Sequence, residues 1–246
     1  MAKLAIIGGT GLTRLEGMSV DRREMVKTPY GAPSCPLVHG SLEGVELVFL
    51  SRHGNQQSIL AQHVNYSANV WALQSVGVER ILAVGVVGAI SDECSVGDVV
   101  VPDQIIDYTT GRDCTYEDTV ADNYRRIDFS FPYNEPLRQA LVQAGTEAGE
   151  SIVDHGTYAA TSGPRLETVA EIRRMERDGC SIVGMSGMPE AILARELNLD
   201  YAFCGAAINP AAGKGDGAIS VNDWASAVTT GMQSVQNVLR GAVALV

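Results

Sequence analysis

Short apolar runs alternate with amphipathic stretches along most of the chain. Runs rich in Val, Ile, Leu and Ala that are bounded by glycine, proline or polar residues are typical of buried strands. They predict strands over residues 4–7, 45–50, 80–87, 98–101, 157–161, 181–183 and 201–208. Apolar positions at helical spacing predict helices over residues 65–76, from 136 onward, over 168–175 and 189–197, and from about 222. This alternation predicts an α/β fold with binding sites at the C-terminal ends of strands.

Two stretches interrupt the alternation. Residues 106–133 are polar, aromatic and irregular, and a loop of this length in a compact domain is usually functional or interfacial. Residues 211–217 are rich in glycine and alanine and predict a mobile loop. The sequence contains no internal repeat or linker, so residues 1–246 are expected to form one domain.

The composition narrows the class of protein. A chain of 246 residues that is 46% hydrophobic and 19% charged has an ordinary globular composition. Its net charge of −11 argues against nucleic-acid binding, which needs a basic surface. Five cysteines without a Cys-x-x-Cys pair favour reduced thiols. No secretory leader or membrane-spanning run is present, so a cytoplasmic protein that does not bind membranes is expected.

Three short segments that follow predicted strands have residues suited to holding an anion. Gly8-Gly9-Thr10-Gly11 offers backbone N–H groups and a hydroxyl, Arg52-His53 offers a guanidinium fork, and Ser186 precedes a helix begun by a proline. Simpler explanations are a tight strand exit, a surface Arg-His pair and packing of the neighbouring Met185. The glycines do not form a dinucleotide fingerprint, because Arg14 stands where the third glycine belongs. They also lack the Gly-Lys-Ser/Thr ending of a P-loop.

Two further polar residues are candidates for recognising a base. Asn209 ends an apolar run, and its amide can both donate and accept, as a purine edge requires. The Asn209-Pro210 pair is equally consistent with a turn. Glu167 is equally consistent with an acid in the first turn of the next helix. Cys35 and His39 make half a zinc site at best, so no metal is predicted.

Together, these segments resemble the trimeric nucleoside phosphorylase family, and most closely its branch that cleaves 5′-methylthionucleosides. The resemblance extends from residue 8 to about residue 221, and its motifs are specific only in combination. They are Gly8-Gly9-Thr10-Gly11-Leu12, Arg52-His53-Gly54, Val64-Asn65-Tyr66-x-Ala68-Asn69-x-Trp71-Ala72-Leu73, Gly97-Asp98-Val99-Val100, Ser162-Gly163-Pro164-Arg165 and Gly184-Met185-Ser186.

The resemblance implies a domain with a central, largely buried mixed sheet flanked by helices. It implies inorganic phosphate as co-substrate without a cofactor, and a homotrimer, or a hexamer of two trimers, with residues 106–133 at the interface. The relatives place a histidine there that reaches the neighbouring subunit. This chain has no histidine between His63 and His155, so that contact must differ.

The resemblance also assigns roles by position. Catalysis is assigned to Asn209, Ser186 and His53. Phosphate binding is assigned to Thr10, Arg52, His53, Val86 and Ser186. The remaining positions are Met185 for the ribose, Asn209, Glu167 and Leu166 for the base, and Val221 for the 5′ substituent. One phosphate-site hydroxyl of the methylthioadenosine branch is replaced here by Gly85.

Two positions depart from the branches of the family in opposite directions. Asn209 stands where methylthioadenosine enzymes carry Asp, and an amide suits a 6-oxopurine. Val221 stands where inosine and guanosine enzymes carry a histidine for the 5′-hydroxyl, and an apolar wall suits a thioether. The expected reaction is therefore phosphorolysis of 5′-methylthioinosine to hypoxanthine and 5-methylthioribose 1-phosphate. A methylthioadenosine phosphorylase, an inosine/guanosine phosphorylase, a non-catalytic nucleoside sensor and a dinucleotide-dependent oxidoreductase are the alternatives.

Overall fold

Strands and helices alternate through the chain in the computed structural model, which describes residues 2–117, 126–215, 217 and 221–246, without the side chains of residues 221–223. The strands are β1 (Leu4–Gly8), β2 (Ser19–Glu24), β3 (Leu37–Leu42), β4 (Val45–Ser51), β5 (Arg80–Ala89), β6 (Val99–Val100), β7 (Gln104–Asp107), β8 (Ile152–Val153), β9 (Thr157–Ala160), β10 (Cys180–Gly184) and β11 (Asp200–Pro210). The helices are α1 (Tyr66–Ser75), α2 (Glu135–Glu147), α3 (Val169–Arg177), α4 (Glu190–Glu196) and α5 (Val221–Ala242), with a 3₁₀ helix at Ala61–His63.

The central strands are buried on both faces. Ala5 and Ile7 of β1 enter a core that also holds α1 and α4, whereas Leu4 and Ile6 enter a second core with α2 and α5. Successive side chains of a strand point to opposite faces, so a sheet covered on both sides needs apolar residues at nearly every position. The predicted α/β class with a buried mixed sheet flanked by helices is confirmed.

The sheet divides at β5. Residues Leu4–Ile7 of β1 pair in parallel with the first half of β5, as far as Ala83. The antiparallel strand β10 pairs with the same edge of β5 as β1 does, but only at Gly88 and Ala89. The strand β11 pairs in parallel with the other edge of β5. In the described chain, the edge of β5 between Ala83 and Gly88 therefore has no strand beside it. Open positions where strands diverge are where α/β sheets bind ligands.

Four strands were not predicted from the sequence pattern. These are β2, β3, β7 and β8. Five of the six residues of β2 are exposed, so backbone pairing with β3 holds it rather than burial of an apolar face. The strand β7 shows that residues 106–133 are not irregular throughout, because Ile106 and Asp107 pair with β9 at the edge of the sheet.

The helix α1 corrects the prediction of an amphipathic helix. Its residues are buried on most sides, and it packs against α4 instead of presenting one polar face to water. The fully buried Asn69 is accommodated because its amide donates to Ser34 Oγ at 2.9 Å and accepts from the Ser34 backbone N–H at 2.8 Å. Among the described residues, none of the helices combines the length and apolar character that crossing a membrane requires.

Candidate active site

A cavity of about 570 Å³ lies along the open edge of β5. It brings together residues that are far apart in the sequence. The predicted site residues that line it are Thr10, Arg52, His53, Val86, Leu166, Glu167, Met185, Ser186 and Asn209. The side chain of Val221 lies outside the described residues, so its assignment to the 5′ substituent stays a prediction.

Two glycines of β5 mark the two ends of this cavity. A Cβ atom built on Gly85 would lie 3.1 Å from Ser186 Oγ and 2.9 Å from the Phe203 ring. A Cβ atom built on Gly88 would lie 3.3 Å from Asn209 Nδ2. Three residues of extended strand span about 10 Å. The side chains suited to an anion and those suited to a base are therefore held about one nucleoside length apart.

Arg52 forms the floor of the anion end and is fully buried. Its Nε and Nη2 donate to the two carboxylate oxygens of Glu190 at 2.8 and 2.7 Å. Its Nη1 donates to the carbonyl oxygen of Val84 at 2.6 Å, which satisfies a carbonyl on the open edge of β5. The alternative of a surface Arg-His pair is wrong.

The pairing with Glu190 leaves Arg52 able to bind an anion. A guanidinium has five N–H donors, and the bonds to Glu190 and Val84 use one on each nitrogen. One N–H on each terminal nitrogen remains, which matches two oxygens of a phosphate. Burial by itself lowers the pKa of Arg52, but the charge and hydrogen bonds of Glu190 outweigh burial and raise its pKa. The guanidinium therefore stays charged.

The glycine-rich turn after β1 packs directly on this guanidinium. A Cβ atom on Gly9 would lie 2.5 Å from the Val84 carbonyl oxygen and 2.9 Å from Arg52 Nη1, so only glycine allows this approach. The backbone N–H of Gly11 donates to Gln57 Oε1 at 3.1 Å. These contacts hold Thr10 on the cavity wall.

His53 is fixed in one tautomer when its ring is neutral. Its Nδ1 lies 2.9 Å from the carbonyl oxygen of Ile59, and because a carbonyl only accepts, Nδ1 carries the proton. In the neutral ring, Nε2 is then an acceptor, which suits the hydroxyl of a monoprotonated phosphate. Burial, followed by the charge of Arg52, lowers the pKa of His53 and favours this neutral form.

Met185 and Ser186 run back along the open edge of β5 because β10 is antiparallel to it. The last residue of β10 that pairs with β5 is Val183, opposite Gly88. The chain then brings Ser186 beside Gly85, and the Ser186 backbone N–H donates to the Tyr158 hydroxyl at 3.1 Å. These residues therefore follow the C-terminal end of a strand, as the sequence predicts, and that strand is antiparallel to β5 but parallel to β9.

Asn209 lies at the other end of the cavity, within a strand. It pairs with Gly88, and β11 continues to Pro210, so the alternative of a turn residue is wrong. Asn209 Nδ2 donates to the carbonyl oxygen of Pro210 at 2.7 Å. That bond leaves Oδ1 and the second amide hydrogen for a ligand.

Glu167 lies on the same side of the cavity and is not a first-turn acid. The helix α3 begins at Val169 with Thr168 as its cap, and Glu171 completes the capping box. Glu167 Oε1 instead accepts from the Thr161 hydroxyl at 2.7 Å. Its second carboxylate oxygen can then accept a hydrogen bond from a base.

Sequence reasoning missed several residues of the site. Glu190 gave no local signal, because its partner Arg52 lies 138 positions away in the chain. Gln57 and Trp224 also line the cavity, and Trp224 is 36% exposed at the start of α5. In the part of the chain that the structure describes, no three His, Cys, Asp or Glu side chains cluster as a metal site would require.

Several known proteins are similar to this chain in sequence, and solved structures are similar to it in fold. Residues 3–244 match the model of the phosphorylase superfamily. The chain belongs to the phosphorylase superfamily. It is 49% identical over 239 residues to a probable S-methyl-5′-thioinosine phosphorylase of Pseudomonas syringae pv. tomato, with 97% of each chain covered. It is 43% identical over 218 residues to a 6-oxopurine nucleoside phosphorylase of Pyrococcus furiosus, covering 87% of this chain and 81% of the relative.

A solved structure agrees with this membership. The methylthioadenosine phosphorylase of Schistosoma mansoni in complex with tubercidin matches 100% of this chain and 91% of its own, with a TM-score of 0.91 and 30% identity. The chain is therefore an enzyme of the purine nucleoside phosphorylase type, a pentosyltransferase.

Replacing Glu190 tests the buried ion pair. Glu190→Gln leaves the charge of Arg52 buried without a counter-charge, and we expect the free energy of unfolding to fall by about 3–5 kcal/mol. The control is Glu79→Gln, which breaks an exposed pair with Lys3 and is expected to cost less than about 1 kcal/mol. Denaturant unfolding measures both, and equal effects of the two substitutions would contradict the proposed importance of the buried pair.

The protonation state of His53 predicts a pH dependence of stability. Its folded pKa is lowered, so the unfolded chain binds a proton at this residue more readily than the folded protein does. The stability due to neutral His53 is therefore complete above the unfolded pKa of about 6.5 and is lost as pH falls below it. The difference in unfolding free energy between the native chain and His53→Asn should shrink below about pH 6.5. A difference in unfolding free energy that stays constant from about pH 5 to 8 would contradict the proposed role of neutral His53 in stability.

Proposed function

We propose that this enzyme cleaves 5′-methylthioinosine with inorganic phosphate, giving hypoxanthine and 5-methylthioribose 1-phosphate. The observation that carries the proposal is the cavity along β5, with Ser186 and Arg52 at one end and Asn209 about 10 Å away at the other. This length fits a nucleoside whose sugar faces the anion end. The relatives named for thioinosine and 6-oxopurine substrates support the proposed substrate class.

At the anion end, phosphate would be held by hydrogen bonds from several directions. Arg52 offers its two remaining N–H groups, and Thr10 and Ser186 offer hydroxyls. His53 Nε2 would accept a hydrogen bond from the phosphate hydroxyl. The backbone at Val86 lies on the same open edge of β5. Because Glu190 offsets the charge of Arg52, the anion end would bind phosphate mainly through directed hydrogen-bond donors and less through net positive charge.

The reaction would need charge separation at C1′ and no covalent enzyme intermediate. The C1′–N9 bond breaks, its electron pair moves to the purine, and a phosphate oxygen forms the new bond to C1′. Met185, on the wall between the two ends, would pack against the ribose. The phosphate dianion stabilises the cationic sugar, and preorganised donors stabilise charge as it develops in the transition state.

The base end has the donors and acceptors for a 6-oxopurine. The free amide hydrogen of Asn209 would donate to O6, and its Oδ1 would accept from protonated N7. The free oxygen of Glu167 would accept from N1–H, a hydrogen that adenine lacks. Leu166 lines the cavity beside Glu167 and would pack on the ring. We therefore propose that Asn209 and Glu167 determine the specificity for the base.

The 5′ substituent is proposed to be methylthio. The cavity also has apolar wall residues at Ile59 and Leu60, and Val221 begins the helix α5, whose residue Trp224 also lines the cavity. A wall without a hydrogen-bond partner discriminates against a hydroxyl and accepts a thioether. Val221 is assigned to this wall by its place in the sequence.

Residues 1–246 are proposed to act as a single domain in a cytoplasmic homotrimer, with a hexamer of two trimers as the alternative. Phe131 lies in the predicted interface segment and is 75% exposed, which suits burial against a neighbouring subunit. All five cysteines are free, which suits a reducing compartment. No nucleic acid, membrane or cofactor enters the proposal.

Rates with three nucleosides test the proposed substrate. We expect phosphate-dependent release of hypoxanthine from 5′-methylthioinosine, with kcat/KM at least about tenfold above those for methylthioadenosine and inosine. Release of base is followed by absorbance, and the control omits phosphate. Higher kcat/KM for methylthioadenosine or for inosine would assign the chain to that activity instead. Binding without any phosphate-dependent cleavage would favour the nucleoside sensor.

Substitution of Asn209 tests the base assignment. Asn209→Asp replaces the amide donor by a carboxylate and should shift the preference from methylthioinosine towards methylthioadenosine. Asn209→Ala should lower kcat about 10²–10³-fold, because it removes a contact that strengthens in the transition state. The ratio of kcat/KM values for the two substrates is the measurement. An unchanged ratio in Asn209→Asp would contradict recognition of the base by this residue.

A further inference from the structure

Arg112 lies outside the residues assigned above but contacts the backbone beneath them. Its Nη1 donates to the carbonyl oxygen of Met188 at 2.6 Å, and its Nη2 donates to that of Met185 at 2.9 Å. The same Nη2 lies 3.3 Å from the carbonyl oxygens of Thr161 and Ser162. One guanidinium therefore ties four carbonyl groups together.

These carbonyls belong to two different loops of the site. Thr161 and Ser162 begin the segment that carries Glu167 on the base side, whereas Met185 and Met188 belong to the turn that carries Ser186 on the anion side. Arg112 joins the two segments through hydrogen bonds to both, and the Thr161 backbone N–H also donates to the Gly184 carbonyl just before Met185, at 2.8 Å.

The peptide bond between Met185 and Ser186 is held on both sides. Its carbonyl accepts from Arg112, and its N–H donates to the Tyr158 hydroxyl. A peptide held at both its oxygen and its nitrogen keeps its orientation, which restrains the position of the Ser186 Cα beside the cavity. Two residues beyond Met188, the same turn supplies Glu190 to Arg52.

In the part of the chain that the structure describes, Arg112 has no ion-pair partner, whereas Arg52 is paired with Glu190. Across the described residues, no carboxylate lies within 4 Å of Arg112, and its guanidinium lies 5.2 Å from the centre of the Tyr66 ring. Burial and the charge of Arg52 are the main causes that lower the pKa of His53, and the charge of Arg112 adds to them. Among the described residues, Arg112 thus places a positive charge without an ion-pair partner near the anion end.

We propose that Arg112 is a positioning residue for phosphate: it locks the Met185–Ser186 turn against the Thr161–Ser162 segment and keeps its positive charge beside the anion end. The proposal rests on the proposed function for its kinetic test, but binding of inorganic phosphate can be measured without any reaction. Loss of geometry by about 1 Å can lower rates about 100-fold, so the effect is expected to be large.

The experiment compares Arg112→Met and Arg112→Lys with a matched control. Arg195 also donates to backbone carbonyls, those of Asp128 and Phe131, and contacts the Phe129 ring, but it does not line the cavity. Arg195→Met therefore removes a similar clamp elsewhere. Calorimetric titration with inorganic phosphate, steady-state kinetics with phosphate varied, and thermal unfolding are measured for all variants.

We expect Arg112→Met to weaken phosphate binding and raise the phosphate KM at least about tenfold, with a smaller effect on the nucleoside KM. Arg112→Lys restores the charge but not the planar fork, so it should lie between Arg112→Met and the native chain. Arg195→Met should change both phosphate quantities less than about twofold. If Arg112→Met does not fold, an intermediate phosphate affinity in folded Arg112→Lys supports the proposal.

The proposal would be overturned if Arg112→Met or Arg112→Lys had the same phosphate affinity and phosphate KM as Arg195→Met. This holds even if the native chain cleaves nucleosides. A loss of activity that follows only the loss of folded protein, with phosphate KM unchanged, would overturn it too. If the native chain binds phosphate, Arg112→Met loses that binding and neither cleaves a nucleoside, the proposed function fails while the positioning role stands.

Discussion

The buried ion pair between Arg52 and Glu190 is the contact on which the site depends. It joins the end of β4 to the start of α4 beneath the cavity, and Arg52 also satisfies the Val84 carbonyl where β5 has lost its neighbour. A buried charge without a partner costs several kcal/mol, so folding is favoured when these two residues come together. The opening in the sheet that forms the cavity is thereby stabilised by a side chain that also lines that cavity.

This pairing also shapes the chemistry. A fully buried, unpaired arginine would be costly to bury. Here the guanidinium keeps two directed N–H donors, while Glu190 offsets its charge. Hydroxyls, the neutral ring of His53 and the carbonyl-bound Arg112 supply the rest. In the proposed function, such a site would recognise the shape of a phosphate and would not simply attract anions, which suits a protein with a net charge of −11.

How much the sequence predicts depends on how local the cause is. The strands β1, β5 and β11 were predicted because burial on both faces makes them apolar throughout. The strand β2 was missed because it is polar and held by backbone bonds. The site segments were predicted from their residues and the family resemblance, whereas Glu190 and Arg112 act through partners distant in sequence, which no local pattern shows. Asn209 lies within a strand because it pairs with Gly88. The Asn209-Pro210 pair taken alone favours a turn, which is wrong.

The most direct measurement is a crystal structure with inorganic phosphate and a C-nucleoside analogue of 5′-methylthioinosine, whose carbon–carbon glycosidic bond resists cleavage. The account predicts the purine within hydrogen-bond distance of Asn209 and Glu167, and phosphate in contact with Arg52 and Ser186 below C1′. A base bound away from Asn209, or phosphate held elsewhere while Arg52 contacts only Glu190 and Val84, would contradict it.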